Sequence, residues 1–271
     1  MKKIILSLAI SGIVAACNTV KQGTTQGDPK NAVSYGYQPL DPLPVSLIST
    51  ADKTTAGTLN ERYLKSLPDE TMRLAIGEVD GSGNISFGSA KFGYAGSSYI
   101  IILDYIKFAT HPFPVKIDNT SKEVQFTVNG DPYGHSTNTV DADAVIPVYV
   151  GVGLRLSATI KVNKGTVDLG NLFAIGAAAE ANKVTGTLII QTLGISGESI
   201  SGLIPMPSQI NSTTIQNAVL SLGSIKAKLF ASNVDINPRI VGFYNNIGGG
   251  EKTTNKFIST FLTGKLEHIV N

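Results

Sequence analysis

The sequence is poor in the residues that most often carry chemistry or crosslinks. Its 271 residues include one cysteine, three histidines and no tryptophan. A single cysteine excludes a disulfide within the chain, so the protein must fold on its hydrophobic core alone. That is feasible, because 42% of the residues are hydrophobic and a chain of this length can bury a substantial core.

The sequence also lacks an excess of charge of either sign. It has 22 basic and 20 acidic residues, dispersed along the chain. Binding to nucleic acid through phosphate contacts needs a basic surface, which this composition does not provide. The sequence therefore predicts no nucleic-acid partner and no attachment to anionic lipid through a basic patch.

One uninterrupted apolar stretch stands at the start of the chain. Lys2 and Lys3 precede apolar and small residues from Ile4 to Ala16, which is the arrangement of a secretory signal. The stretch is too short to span a bilayer as a helix, since a spanning helix needs about 20 apolar residues. It ends in the tetrapeptide Val14-Ala15-Ala16-Cys17.

This tetrapeptide resembles the lipobox of bacterial lipoproteins. The resemblance implies cleavage before Cys17, a diacylglyceryl group on that cysteine, and acylation of the new amino end, with palmitate as a typical acyl group. Three acyl chains would anchor the protein firmly. Asn18 follows the cysteine. Because aspartate there favours inner-membrane retention, the resemblance favours the outer membrane, and it leaves open whether the protein faces the periplasm or the cell surface. An ordinary signal peptide is the alternative, and it is disfavoured because Cys17 is the sole cysteine.

Composition divides the chain into three regions. Residues 1–16 are the predicted signal peptide, and residues 17–45 are the lipidated cysteine and a flexible tether rich in Thr, Gln, Gly, Lys and Pro. Residues 46–271 are the predicted folded domain, which one interpretation divides into a β-rich part (46–165) and a mixed part (166–271). The predicted fold class is α+β: β-rich, mostly antiparallel sheet or sandwich, with about three helices in the C-terminal half.

Alternation of apolar and polar residues predicts most of the strands. The clearest case is 146–162, where alternate residues are apolar throughout; extended at 3.3 Å per residue, it would measure about 56 Å. Residues 99–108 are apolar on both faces, as in a strand covered on both sides. Residues 73–79 and 85–92 flank Asp80-Gly81-Ser82-Gly83-Asn84, which predicts a hairpin. Further strands are predicted at 124–128, 184–195 and 236–244.

Helical spacing and capping residues predict helices at 58–66, 169–183, 213–229 and 254–270. Asp168 is the expected N-cap of the second of these. Thr213 and Gln216 have the spacing of a capping box at the start of the third. The last helix would place His268 near its C-terminal end, where a histidine complements the helix dipole.

The segment before strand 146–162 holds the candidate metal ligands. These are oxygen and nitrogen donors, with Tyr133 beside them: Asp131, His135, Asp141 and Asp143. Their spacing matches no established metal pattern, and a polar loop held by Asp and Asn turns is the favoured interpretation. The segment 80–84 echoes a calcium loop, but Lys91 stands where the glutamate should be. We therefore predict no metal and no cofactor.

Hydrolytic chemistry has little support in the sequence. Gly194-Ile195-Ser196-Gly197 is one residue short of the G-x-S-x-G motif. His111 lies in a turn-like Thr-His-Pro-Phe-Pro segment with no partner nearby in sequence. Because a catalytic triad is defined by geometry, a pocket that brings His111 or His135 beside a serine and a carboxylate would favour a hydrolase.

The predicted function is that of a membrane-anchored envelope lipoprotein acting as a non-enzymatic binding, structural or assembly component. Its predicted partners are the membrane, through the anchor at Cys17, and an envelope protein or a second copy of the chain. One alternative is an oligomeric pore or secretion-channel subunit, because the pattern of 146–162 also suits a membrane-spanning strand. A hydrolase is the other alternative.

Overall fold

The computed structural model describes residues 36–49, 58–88, 91–118, 125–128, 142–229, 231, 233–247, 251–263 and 266–270. In this part of the chain the α+β class and the β-rich character are confirmed. The strands are β1 (Gly36–Leu43), β2 (Ser46–Ser49), β3 (Asp69–Val79), β4 (Ile85–Gly88), β5 (Phe92–Tyr94), β6 (Ser98–Asp118), β7 (Gln125–Val128), β8 (Ala144–Val162), β9 (Thr166–Asp168), β10 (Val184–Leu193), β11 (Ile195–Ser196), β12 (Ser208–Gln209), β13 (Asp235–Ile236), β14 (Arg239–Asn245) and β15 (Glu267–Val270). The helices are α1 (Leu59–Lys65), α2 (Leu172–Glu180), α3 (Glu198–Ser201), α4 (Ser212–Lys228) and α5 (Glu251–Thr263).

A large antiparallel sheet forms the centre of the described structure. Its strand order is β1-β14-β8-β6-β3-β4, with β7 added beside β6 and β10 beside β8. The two long strands β6 and β8 pair over almost their whole length, from Ser98↔Lys161 to Val115↔Ala144. On its other edge, β8 pairs with β14 along its first half and with β10 along its second half. Strands from both predicted subdomains therefore belong to one sheet.

Strand β8 is the most buried element of the sheet. The apolar residues at alternate positions from Ile146 to Val162 are at most 1% exposed. On the opposite face, Gly151 and Gly153 replace side chains, because a Cβ there would lie 2.3 Å and 2.0 Å from backbone carbonyl oxygens of β6. The predicted strand 146–162 is confirmed and extended by two residues at its start.

Helices cover one face of the sheet. Near the end of β8, α2 and α4 contribute Ile175, Ile215 and Leu222 to a large apolar cluster with β6, β8 and β10. Near the start of β8, Phe257 of α5 packs edge-on against Phe113 and Phe243. Because the predicted amphipathic helices bury their apolar stripes on this one face, the sheet and helices form two layers.

The opposite face of the sheet curls around a buried ion pair. Asp104 of β6 and Arg155 of β8 are cross-strand neighbours, and Arg155 donates from Nε and Nη2 to the two carboxylate oxygens, each at 2.7 Å. Arg155 Nη1 also donates to the carbonyl oxygen of Leu40 at 2.8 Å. The curl brings β1 against β3, so that Tyr37 donates its hydroxyl to Asp104 while Arg73 lies 5.5 Å from the Tyr37 ring centre.

Burial sets the protonation of this cluster. It raises the pKa of Tyr37 well above its ordinary value, and the neighbouring Asp104 carboxylate raises it further. Burial opposes the charge of Arg155, but the hydrogen bonds to Asp104 outweigh it and raise the pKa of the guanidinium. The Arg155 guanidinium is therefore held in its charged form inside the fold, with its donors directed at oxygen atoms of Asp104 and Leu40.

On the side that faces away from β8, part of β6 has no partner strand within the described residues. β3 pairs with β6 from Ser98 to Phe108, and β7 pairs with Val115–Asp118, so residues 109–114 have no partner strand on that edge within the described residues. Pro112 and Pro114 lie in this gap, where the missing N–H groups cost no ladder bond. His111 lies beside them in the strand, instead of in the turn-like segment that the sequence predicts.

Three predicted details of the helices were wrong. The C-terminal half contains four described helices instead of about three. The N-cap of α2 is Asn171, and α4 is capped by Asn211 with Thr214, in place of Asp168 and the Thr213–Gln216 box. At both caps an asparagine, three residues after Asp168 and two residues before Thr213, accepts from N–H groups of the first turn.

The predicted last helix is also corrected, because it ends at Thr263 and the chain continues as strand β15. β15 pairs in parallel with β2, which places His268 in a strand and not at a helix end. Gly264 directly follows Thr263 in the sequence, and glycine is common just beyond helix ends.

The folded part of the chain begins earlier than predicted. Residues 36–43, which the sequence assigns to the tether, form strand β1 on the edge of the main sheet. The alternation of Tyr37, Pro39 and neighbouring polar residues is too short to identify a strand without its partner. Of the described helices, none combines the length and the apolar composition needed to cross a membrane.

Candidate functional site

A groove lies where the helical layer stops short of the sheet edge. Helix α4 packs over β8 and β10 and leaves the same face of β3 uncovered. Met72 and Leu74 of β3 point to that face and are 60% and 40% exposed. Exposed apolar side chains grouped beside a cleft mark binding surfaces more often than isolated ones do.

The groove encloses a cavity of about 310 Å³ between β3, β6 and α4. Its walls are mostly apolar, and its lining residues are Glu70, Thr71, Met72, Leu103, Tyr105, Val219, Leu222, Gly223 and Lys226. Cavities of roughly 300–1,000 Å³ with apolar walls and a few convergent polar groups are typical of small-molecule sites.

Three polar side chains meet at one end of the groove. Lys226 Nζ donates to Glu70 Oε1 at 2.6 Å and lies 4.7 Å from the centre of the Tyr105 ring. The hydroxyl of Tyr105 interacts with the Glu70 carboxylate. The hydrogen bond from Lys226 lowers the pKa of Glu70, while burial and the adjacent carboxylate raise the pKa of Tyr105. The carboxylate thus accepts a hydrogen bond from Lys226 and interacts with the Tyr105 hydroxyl at the same end of the groove.

The sequence of α4 explains why this groove stays open. The helix buries Ile215, Ala218, Leu222 and Ile225 on the sheet. Gly223 faces the groove, and a Cβ added there would meet no atom within 4 Å. A residue with any side chain at position 223 would narrow the cavity, so the glycine preserves space at the cost of helix propensity.

A second polar cluster joins three elements at the other half of the sheet. His111 Nε2 of β6 lies 3.0 Å from His268 Nδ1 of β15. His268 Nε2 in turn lies 2.9 Å from Ser66 Oγ, at the C-terminal end of α1. The hydroxyl of Ser66 donates to the carbonyl oxygen of Tyr63 at 2.7 Å. Each bond is satisfied when His111 donates to His268 and His268 donates to Ser66.

This arrangement resembles a catalytic triad in connectivity, but its chemistry is unfavourable for a nucleophile. The Ser66 hydroxyl donates to a carbonyl oxygen, and it accepts a hydrogen bond from His268 instead of donating one to it. Burial lowers the pKa of His111, and burial together with His111 lowers that of His268 to about 4, which makes a weak base. The N–H of Ser66 is bonded within α1 to Arg62, so it is not available to an oxyanion.

The residues that the sequence suggests as metal ligands are mostly outside the described part of the chain. Asp131, Tyr133, His135 and Asp141 lie there, as does the predicted lipidation site Cys17. The carboxylate of Asp143 accepts from the N–H of Ile117 at 2.6 Å, next to the pairing of β6 with β8. Within the described residues, no three His, Cys, Asp or Glu side chains are grouped as metal ligands would be.

The segment 80–84 is the hairpin turn that the sequence predicts. Asp80 Oδ1 accepts from the N–H groups of Ser82 and Asn84 at 2.8 and 2.9 Å, and β3 and β4 pair on either side. These bonds, with Asn84 first, lower the pKa of Asp80. The carboxylate is therefore used by the turn itself.

Sequence reasoning missed the groove residues altogether. Glu70 and Lys226 are separated by 156 positions, and neither belongs to a motif. Two weak signals were present. Met72 and Leu74 are exposed apolar residues at alternate positions in the part of β3 that does not pair with β4, and α4 carries Val219 and Leu220 outside its buried stripe.

Comparison with known proteins adds no identity to these observations: no family model, curated protein or solved structure matched the chain.

Proposed function

We propose that the protein is a membrane-anchored envelope lipoprotein that acts as a non-enzymatic binding component, with its ligand in the groove beside α4. The observation that carries the proposal is the groove itself, a cavity of about 310 Å³ with apolar walls and three polar groups at one end.

The lipid anchor is supported by the sequence alone. The segment 14–17 has the features of a lipobox, and Cys17 is the single cysteine. An anchored protein should be found in the membrane fraction, with more of it in the outer membrane than in the inner membrane. It should also incorporate labelled palmitate. Replacing Cys17 with serine should remove the label and release the protein, whereas unchanged membrane association would contradict the anchor.

The pore alternative receives less support. Strand β8 has partners along both edges, and the apolar residues that would have to face lipid are packed under helices. Exposing them would require the helical layer to leave the sheet. A hydrolase has the Ser66–His268 contact in its favour, but the serine proton is directed away from the histidine. Labelling of Ser66 by a fluorophosphonate probe would instead favour a hydrolase with Ser66 as its nucleophile.

Filling the groove tests the proposed function directly. The protein would be the full chain carrying Cys17→Ser, so that no detergent is needed, and the probe the uncharged dye 1-N-phenylnaphthylamine. Gly223→Leu should weaken dye binding at least tenfold, because the new side chain enters open space in the groove. Leucine is also the better helix former, so the fold should not suffer.

Ala227→Leu is the matched control. Residue 227 is exposed on the same helix but does not line the cavity. We expect this variant to bind the dye within twofold of the parent, with fluorescence titration as the measurement. Equal binding by the parent and Gly223→Leu would remove the groove as a binding site and with it the proposed function.

A further inference from the structure

The polar and apolar parts of the groove are separated along its length. Glu70, Tyr105 and Lys226 occupy one end, while Leu103 and Val219 line the other. Val219 and Lys226 are seven positions apart on α4, a rise of about 10 Å. A ligand that lies along the groove therefore meets hydrogen-bond donors at one end and only hydrocarbon at the other.

The Glu70 carboxylate lies between Lys226 and Tyr105. It accepts a hydrogen bond from Lys226 Nζ at 2.6 Å and interacts with the hydroxyl of Tyr105. Yet Glu70 is 43% exposed and Lys226 52% exposed, and exposed ion pairs of this kind contribute little to stability. The glutamate side chain can therefore turn into solvent and leave both donors to another anion of similar size.

We propose that the groove binds a single-chain amphiphile with an anionic head. Without a ligand, Glu70 interacts with the two groups to which this head would bind. The head, a carboxylate or a phosphate, would bond with Lys226 and Tyr105. The alkyl chain would lie between Met72, Leu103, Val219 and Leu222. This inference rests on the proposed function, because it specifies the ligand of the same groove.

The volume favours one chain over two. About 310 Å³ lies at the lower limit of small-molecule sites, so a diacyl lipid would leave much of its hydrocarbon in water. The charges favour an anion once Glu70 has turned away, because Lys226 is the cation that lines the cavity and helix α4 carries no acidic residue. Removal of Glu70 would leave Lys226 without its bonded carboxylate.

Displacement of the dye by defined amphiphiles tests the inference. The probes are dodecanoate, dodecanol and lysophosphatidylglycerol with one dodecanoyl chain, each added below its micelle concentration to the Cys17→Ser chain. Both anionic probes should displace the dye at lower concentration than dodecanol. The tighter of the two anionic probes identifies a free fatty acid or a lysophospholipid as the source of the head group, and either result supports the proposed class.

Two substitutions and one control separate head recognition from general hydrophobic binding. Glu70→Ala should tighten dodecanoate binding about tenfold, and Lys226→Met should weaken it about tenfold, while dodecanol changes less than twofold in both. Lys228→Met, an exposed lysine of the same helix outside the cavity, should leave dodecanoate unchanged.

The outcomes distinguish this inference from the proposed function. If the dye binds in a manner sensitive to Gly223→Leu but no amphiphile displaces it, the groove remains a site and the amphiphile is excluded. If dodecanol and dodecanoate compete equally in all variants, the anionic head and the role of Glu70 are overturned. If the dye does not bind at the groove, the proposed function fails first.

Discussion

Two polar clusters in this protein are built from the same three kinds of side chain. Each joins a carboxylate, a cation and a tyrosine: Asp104, Arg155 and Tyr37 in one, Glu70, Lys226 and Tyr105 in the other. Asp104 and Arg155 are 0% and 3% exposed, whereas Glu70 and Lys226 are 43% and 52% exposed. The buried cluster is fixed by β-strands on several sides and belongs to the fold. The exposed cluster can open, so the same chemistry is available to a ligand.

The largest expected effect comes from breaking the buried cluster. Arg155→Met would leave the Asp104 carboxylate buried without its cation, and we expect the free energy of unfolding to fall by about 3–5 kcal/mol. Denaturant unfolding measures the change. The double variant Asp104→Asn with Arg155→Met should recover part of the loss, because no buried charge remains. A loss below about 1 kcal/mol in the single variant would show that the pair is not buried in solution.

The histidine pair sharpens the comparison, because it joins the buried His268 to the half-buried His111, and its described hydrogen bonds involve no carboxylate. The pKa of His111 is lowered, and that of His268 is lowered to about 4. Histidines in the unfolded chain take up protons near pH 6.5. The folded state therefore has its full stability above about pH 6.5 and loses it as the pH falls towards 4, by up to about 3 kcal/mol for His268.

Thermal unfolding between pH 4 and pH 7.5 measures this dependence. His268→Asn should flatten the curve of Tm against pH over that interval. The drop in Tm between pH 7.5 and pH 4 should shrink by more than the Tm at pH 7.5 itself shifts. The exposed cluster should contribute little in the same range, since the pKa of Glu70 lies below its ordinary value. An unchanged acid slope in His268→Asn would contradict the burial of the pair.

The smallest expected effect belongs to the exposed cluster. Lys226→Met should change the free energy of unfolding by no more than about 1 kcal/mol, because an ion pair this exposed is screened by water. Denaturant unfolding of Lys226→Met and Arg155→Met under the same conditions compares the loss in the free energy of unfolding for the exposed cluster with that for the buried cluster. A loss as large as that of Arg155→Met would mean that the groove is part of the core.

Sequence predicted well wherever the pattern of one segment reflects its own burial. Two patterns correctly predicted central strands: the alternation of residues 146–162 and the apolar residues on both faces of 99–108. The segment that begins at Asp80 correctly predicted a hairpin turn. Prediction failed where a partner far along the chain decides the outcome. Strand β1 depends on β14, and β15 depends on β2, so neither is visible in a local window.

Prediction of the site residues failed for the same reason. Glu70 meets Lys226, and Ser66 meets His268, only after the sheet has formed. No spacing rule joins residues that far apart, and the polar clusters contain none of the residue runs that mark metal or nucleotide sites. A fold-level gap, such as the uncovered face of β3, leaves only a few exposed apolar residues of β3 and α4 as weak signals in the sequence.

The pairing of β1 with β14 has a consequence for how the chain acquires its structure. Gly36 is bonded opposite Asn245, and the last strand, β15, is bonded to β2 near the beginning. Contacts between distant parts of a chain form slowly, because the entropy of closing the loop comes before any gain from pairing. The protein cannot complete its main sheet until nearly the whole chain has been synthesised. Such a delay keeps a polypeptide unfolded for longer after translation begins, which benefits any chain that must pass through a membrane before it folds.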